Sequence, residues 1–449
     1  MDKINYNTDQ LSSAKRRAQL KSLDDAARQV LAGSFARHQA SDRLLAAYFR
    51  NNHRCGSRDR ALISECIYAM LRYWGYLRKY LPQNRREDIE SGAIKLTSQE
   101  LGALLCSGCF AAGLFEYAET LRDNWRLNQL PKPASTPERR ARQMAEYFNV
   151  SETVNINDLL PEWVAEYLPE DLDRDKFLEG LSERPPMWLR LQTISASDTE
   201  AVLQELAAAG AETDLNFIGK KSLKVRAKVN LFTFESYKSG KFEIQDLASQ
   251  CIGLVCGAAR GERWLDACAG AGGKSLQLAD MMERKGTVTA GDLRAYKLED
   301  LRRRARRAGF PNIVTKDNPA SLRRPKHPFD GVLVDAPCSC SGVWRRNPGA
   351  QWKLTAQEID ELAAQQLQIL TEYAGAVRAG GTLVYATCSM FDKENREVVR
   401  KFLDANPEFK LDPFAHPFDE EKVCPGMLRV DGDEFDCDTM FVAKMRKVN

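Results

Sequence analysis

Cys338 and Cys388 lie fifty residues apart, each just past an apolar run: Gly331-Val-Leu-Val-Asp335-Ala-Pro337-Cys338 and Gly381-Thr-Leu-Val-Tyr385-Ala-Thr387-Cys388. Both runs read as strands of a parallel sheet, whose carboxyl ends border the ligand crevice. Both thiols should reach that crevice, where a thiolate is a candidate nucleophile. The turn Asp335-Ala336-Pro337-Cys338 puts a thiol where methylation of an exocyclic amine would want an aromatic ring to stack the base. A thiol suits carbon methylation of a pyrimidine instead. Added to C6 of cytosine it makes an enamine, whose C5 takes the methyl; a base then removes the C5 proton and the thiol is expelled. On the residues alone, the two cysteines are interchangeable in this scheme.

A methyl donor needs its own site. The run Trp264-Leu-Asp266-Ala-Cys268-Ala269-Gly270-Ala271-Gly272-Gly273-Lys274-Ser275 reads as strand, glycine-rich turn and helix start. Such a turn lets backbone N–H groups approach a ligand closely. A phosphate loop Gly-x4-Gly-Lys-Ser would need glycine where Cys268 stands, and the dinucleotide spacing Gly-x-Gly-x-x-Gly is not met. Downstream acids favour S-adenosylmethionine. Asp292 ends the next strand run and could accept both ribose hydroxyls. Asp317, in Lys316-Asp317-Asn318 after the third strand, could meet the adenine amine.

These motifs need a sheet to hold them. Strands are expected at 263–266, 287–292, 313–315, 331–335 and 381–386, with helices between, which is a mainly parallel doubly wound α/β domain over 241–449. Residues 23–148 read as helical, within an all-α domain of residues 1–150. Between them, 151–240 alternates short units (strands at 188–192 and 223–229, a helix at 198–209), predicting a small α+β domain. A length of 449 residues fits two or three domains.

Charge is unevenly spread. Residues 1–150 hold 24 Lys/Arg against 16 Asp/Glu, the rest 41 against 46, and 294–326 hold eleven against three. Clustered positive charge points to a polyanionic partner. The arginine-rich run 302–307 and Trp344-Arg345-Arg346-Asn347-Pro348, just after Cys338, are candidates to meet RNA phosphate and a flipped base. No N-terminal apolar run resembles a signal peptide and no stretch is long enough to span a membrane, so a reducing cytoplasm and free thiols are expected. Cys338, Cys340, Cys268 and Cys388 could be metal ligands, but with four histidines in the chain and only His327 near, no metal is expected. Cys106-Ser-Gly-Cys109 lies in an apolar helical stretch and reads as two packed thiols.

Segments 266–274 and 335–338 with Thr387-Cys388-Ser389 together resemble the Sun/RsmB branch of RNA (cytosine-C5) methyltransferases. Residues 242–250 and Glu394-Asn395 extend the resemblance, and the helical segment with Ser57-Arg-Asp-Arg-Ala-Leu-Ile-Ser looks like that branch's NusB-like RNA-binding domain. The resemblance implies a multidomain protein: an all-α NusB-like domain, a small α+β domain and a Rossmann-like S-adenosylmethionine-dependent methyltransferase domain. It implies Cys388 as nucleophile and Cys338 in product release, with Asp335 between donor and cytosine edge. Cys268, Ala269, Gly270, Ala271, Gly272, Gly273 and Lys274 would line the donor, Asp292 its ribose and Asp317 its adenine; Lys297 is a further candidate. The implied partner is RNA, namely small-subunit ribosomal RNA, with no membrane or metal and a monomeric state favoured. Transfer RNA as substrate, or a non-catalytic RNA-binding assembly factor, are the alternatives. Gly270-Ala271 departs from the family's Ala-Pro, and Cys340 from its usual glycine or alanine.

Overall fold

The computed structural model describes residues 13–36, 39–192, 195–215, 221–226, 229–317 and 319–448. They divide into two compact units.

The first unit comprises residues up to 166, 171–184 and the distant segment 344–355. It is helical, as the 3.6-residue periodicity predicts. The helix Ser98–Ala111 is apolar nearly all round and buried along most of its length, as a helix must be when neighbours cover every face. Thr97 and Glu100 close its start as a reciprocal capping box. Cys106 and Cys109 are fully buried here, and burial pushes the Cys106 thiol up to about 12. They are packed thiols.

Segment 344–355 is built into this unit. Trp344 is 2% exposed; Arg72 donates to the Arg345 carbonyl (3.0 Å) and, at 3.1 Å and 2.8 Å, to those of Leu181 and Glu183. A Cβ on Gly75 would fall 1.6 Å from the Asp158 carbonyl oxygen and 2.9 Å from the Trp352 ring, so glycine is needed where these two approach. The expectation that Trp344 stacks on a base is therefore corrected, because its ring is spent on the core.

Besides a separate antiparallel pair, β11 (Phe414–His416) with β12 (Asp419–Cys424), the second unit holds two main sheets. In the smaller, β1 (Met187–Leu191), β2 (Glu212–Leu215), β3 (Ser222–Arg226) and β4 (Phe242–Ile244) pair antiparallel in the order β2-β3-β1-β4. Leu189, Leu191, Val202, Leu206, Leu223 and Phe242 form its core. Part of the strand expected at 223–229 lies outside the described residues.

The larger sheet contains β5 (Arg263–Asp266), β6 (Thr287–Gly291), β7 (Ile313–Lys316), β8 (Phe329–Asp335), β9 (Val377–Thr387), β10 (Phe409–Leu411), β13 (Met427–Val430) and β14 (Met440–Lys447). Its order is β10-β14-β9-β8-β5-β6-β7, with β13 on β14. The strands β5 to β9 are mutually parallel, as the sequence predicts. The sheet is mixed, however, since β10, β13 and β14 run antiparallel. Alternate residues of β8 and β9 feed two cores: Leu333, Val384 and Ala386 on one face, Val332, Val334, Leu383 and Tyr385 on the other. Burial on both faces is why these strands read as unbroken apolar runs. Strand order reverses between β5 and β8, and the crevice of such a sheet opens at that point beyond the carboxyl ends. No described helix is long and apolar enough to cross a membrane.

Candidate active site

Strands β8 and β9 are in parallel register with Asp335 opposite Ala386, so the residues just past them emerge side by side. The Cys338 and Cys388 sulfurs are 3.2 Å apart. Cys340, exposed and at φ 56°, joins them, and all three sulfurs lie within 4.8 Å of one another. Hydrogen bonds from Cys338 and Cys388 draw negative charge to Cys340 and lower its pKa. Cys338 is raised by its bonds to Cys340 and Cys388, then by burial. Cys388 is also raised: its bond with Cys338 works the other way, but Cys340, burial and the Asp335 charge outweigh it.

A buried carboxylate ties the two loops together. Glu394 is 0% exposed and accepts from the Ser339 amide (2.8 Å) and from Gln366 Nε2 (2.8 Å) through Oε1. Its Oε2 accepts from the Ser339 and Ser389 hydroxyls. Asn395 accepts from Thr387 and donates to the Ser389 carbonyl. Ser339 and Ser389 each follow one of the two cysteines, so Glu394 holds both thiol loops at once. Sequence reasoning placed Glu394 only in the family resemblance; its function depends on partners 5, 28 and 55 residues away.

The glycine-rich turn lies beyond β5, at the reversal point. Gly272 is at φ 85°, and a Cβ there would fall 2.0 Å from Leu301 Cδ1. Gly270 and Gly273 face open space, leaving backbone exposed for a ligand. Asp292, 6% exposed, accepts from the Gly270 amide (2.9 Å) and from the Arg294 amide and guanidinium. Burial alone would raise it, but these donors hold it below the usual carboxylate range. Leu293 beside it is 86% exposed, an apolar surface suited to a nucleobase. Open glycines, a paired-acceptor acid and an apolar face fit the nucleoside and amino-acid ends of S-adenosylmethionine. Lys274 donates to Asp335 at 2.8 Å; burial opposes its charge, but Asp335 keeps its pKa above the ordinary value. This pair joins the glycine turn to the Cys338 turn. Cys268 and Ala269 lie in the same turn, and burial pushes the Cys268 thiol above its ordinary range.

Asp317 is exposed and ion-paired with Arg302 at 2.8 Å. Lys297 lies over the Tyr296 ring. Asn318 lies outside the described residues. Each arginine of the run has an acidic partner within the protein. Arg304 and Arg307 grip the buried Glu243, and Arg304 also donates to the Ala271 carbonyl of the glycine turn at 2.7 Å. Arg302, Arg303 and Arg306 pair with Asp317, Asp300 and Glu299. Arg304 braces the glycine turn, while Arg303 and Arg306 form ion pairs on the exposed side of the helix.

The family model "16S rRNA methyltransferase RsmB/F" matches residues 255–446. The chain is 30% identical over 408 residues to "Ribosomal RNA small subunit methyltransferase B" of Shewanella oneidensis, covering 85% of this chain and 91% of that one. It is 28% identical over 389 residues to the protein of the same name from Vibrio vulnificus, covering 84% and 90%. Among solved structures, PH0851 aligns with a TM-score of 0.73 at 22% identity, over 95% of this chain and 99% of that chain, which bears on fold.

Proposed function

Because the chain belongs to the RsmB/F family of 16S rRNA methyltransferases, we propose that it methylates C5 of a cytosine through a covalent adduct to Cys388. It is an S-adenosylmethionine-dependent methyltransferase of small-subunit ribosomal RNA. The observation that carries the cysteine chemistry is the 3.2 Å approach of two strand-end thiols beside the donor turn.

Bound S-adenosylmethionine supplies an electrophilic methyl group. Gly270, Ala271, Gly272 and Gly273 offer backbone to it, with Cys268, Ala269 and Lys274 in the same turn; Asp292 receives its ribose and Asp317 its adenine. Asp335, held by Lys274, orients the cytosine edge. The Cys388 thiolate adds at C6, forming the S–C6 bond and placing the electron pair at C5, which takes the methyl. A base removes the C5 proton, the C5–H electrons re-form the C5–C6 double bond as the S–C6 bond breaks, and Cys338, beside the attacking sulfur, assists that release. Glu394 positions both thiols without touching the base.

The helical region is proposed as a NusB-like RNA-binding domain (1–150), and 151–240 as a second RNA-gripping domain ahead of the catalytic part (241–449). The enzyme is proposed to act as a monomer in the cytoplasm, with no metal required for methyl transfer.

The test uses ribosomal RNA and labelled methyl donor with wild type, Cys388→Ala and Cys338→Ala. Wild type should yield 5-methylcytosine, and Cys338→Ala should accumulate a covalent RNA adduct that Cys388→Ala never forms. Trapping by Cys388→Ala alone would reverse the two roles, and absence of 5-methylcytosine from wild type would sink the C5 assignment.

A further inference from the structure

The two-thiol reaction leaves Cys340 unused, yet its sulfur lies within 4.8 Å of both others. Its backbone is left-handed at φ 56°, a conformation in which side chains other than Asn, Asp and Gly are uncommon. The residues around it are fixed. Ser339 is bound through its amide and hydroxyl to Glu394. The Ser341 hydroxyl accepts from the Met390 amide at 2.9 Å, and the Gly342 amide donates to the Cys388 carbonyl at 2.9 Å. Three sulfurs on two mutually pinned loops form a preorganised donor set, and Cys340, being exposed, gives access from solvent.

We propose that Cys338, Cys340 and Cys388 form a site for a thiophilic divalent cation, Zn2+, which inhibits the enzyme by occupying its nucleophile. A zinc–sulfur bond of about 2.3 Å in a tetrahedron sets sulfurs about 3.8 Å apart. The present separations, 3.2 Å for Cys338 and Cys388 and within 4.8 Å for the whole set, need only small side-chain shifts to meet it. Solvent completes the fourth position. Histidine is not needed, because three thiolates are ligands of the softness zinc accepts. Each coordinating thiol gives its proton to solvent, so binding strengthens as pH rises.

Binding is independent of the methyl-transfer reading, whereas inhibition rests on it, so the experiment reads them separately. Cd2+ is titrated into the reduced full chain while thiolate-to-cadmium charge-transfer absorption is followed, in wild type, Cys340→Gly and Cys340→Ser, with Zn2+ as competitor. Glycine suits the left-handed backbone, and serine retains the side-chain size; thermal unfolding of each verifies folding. Wild type should bind one ion per chain, and both variants should bind it on the order of 100-fold more weakly. Zn2+ should inhibit wild-type methyl transfer at lower concentration than either variant, each measured against its own metal-free rate. Equal Cd2+ affinity in wild type and both variants overturns the site. Loss of methyl transfer from metal-free wild type would instead count against the proposed function and leave the binding result standing.

Discussion

Asp266, at the end of β5, is 1% exposed and accepts from the Ser275 hydroxyl at 2.6 Å. Burial raises its pKa to about 7 despite that bond. The folded value stands above the unfolded 3.8, so its contribution to stability is full below that pH and is lost as pH rises toward 7. Asp266→Asn should therefore stabilise the protein at pH 8 by on the order of 1–3 kcal/mol, and the gain should vanish near pH 3; thermal unfolding across that range measures it. Cys388 follows the opposite logic for activity. Its thiol is raised, and under the proposed mechanism its thiolate attacks the base, so single-turnover methyl transfer should keep climbing past pH 9. A rate that levels off near neutrality would show that RNA binding activates the thiol. Asp292→Ala should raise the Michaelis constant for the methyl donor roughly tenfold or more, as expected when charge-assisted bonds worth about 1.5–3 kcal/mol are lost, with that for RNA little changed. These chemically labelled residues are legible from sequence because thiols and strand-end acids announce their chemistry. Glu394 does not, since a glutamate in a helix-rich stretch is normally solvated and only the fold gathers its donors.

At the scale of elements, the loops after β8 and β9 are one device joined by Glu394. Glu394→Ala removes the buried carboxylate that accepts from the Ser339 amide, two serine hydroxyls and Gln366. It should cost about 3–5 kcal/mol of stability, as breaking a buried hydrogen-bonded network does. Glu394→Gln, which keeps the shape and one acceptor oxygen, should lose less and retain measurable turnover. Denaturant unfolding and turnover of the two variants separate packing from positioning. The parallel strands are legible because each is buried on both faces and reads as an apolar run. The antiparallel edge is not: β10 and β13 have three and four residues, too short for periodicity to show, and β10 pairs with β14 only at the end of the chain. The arginine helix misleads for a related reason. Its cations look free in sequence, but Glu243, some sixty residues earlier, is buried against two of them.

Across the whole molecule, the division into units does not follow chain order. Residues 344–355 belong to the helical unit although the stretches on either side belong to the other. Sequence reading assigns them to the catalytic part because nothing local marks a chain that leaves one unit and returns. A fragment of residues 185–449 would expose Trp344 and should aggregate or bind a hydrophobic dye more than the full chain. A fragment of residues 1–184 should melt well below the helical unit of the intact protein, having lost the anchors of Arg72 and the indole against Gly75. Full-chain stability recovered by either fragment alone would show that the segment is dispensable to both.

Synthesis adds a clock to this arrangement. Domains usually fold in the order they leave the ribosome, yet the helical unit made first lacks its Trp344 and Trp352 until some 160 further residues have been translated. The nascent helices must therefore wait with a vacant seat for these indoles, open to chaperones or to a wrong partner, and translation speed between residues 185 and 355 becomes a determinant of yield.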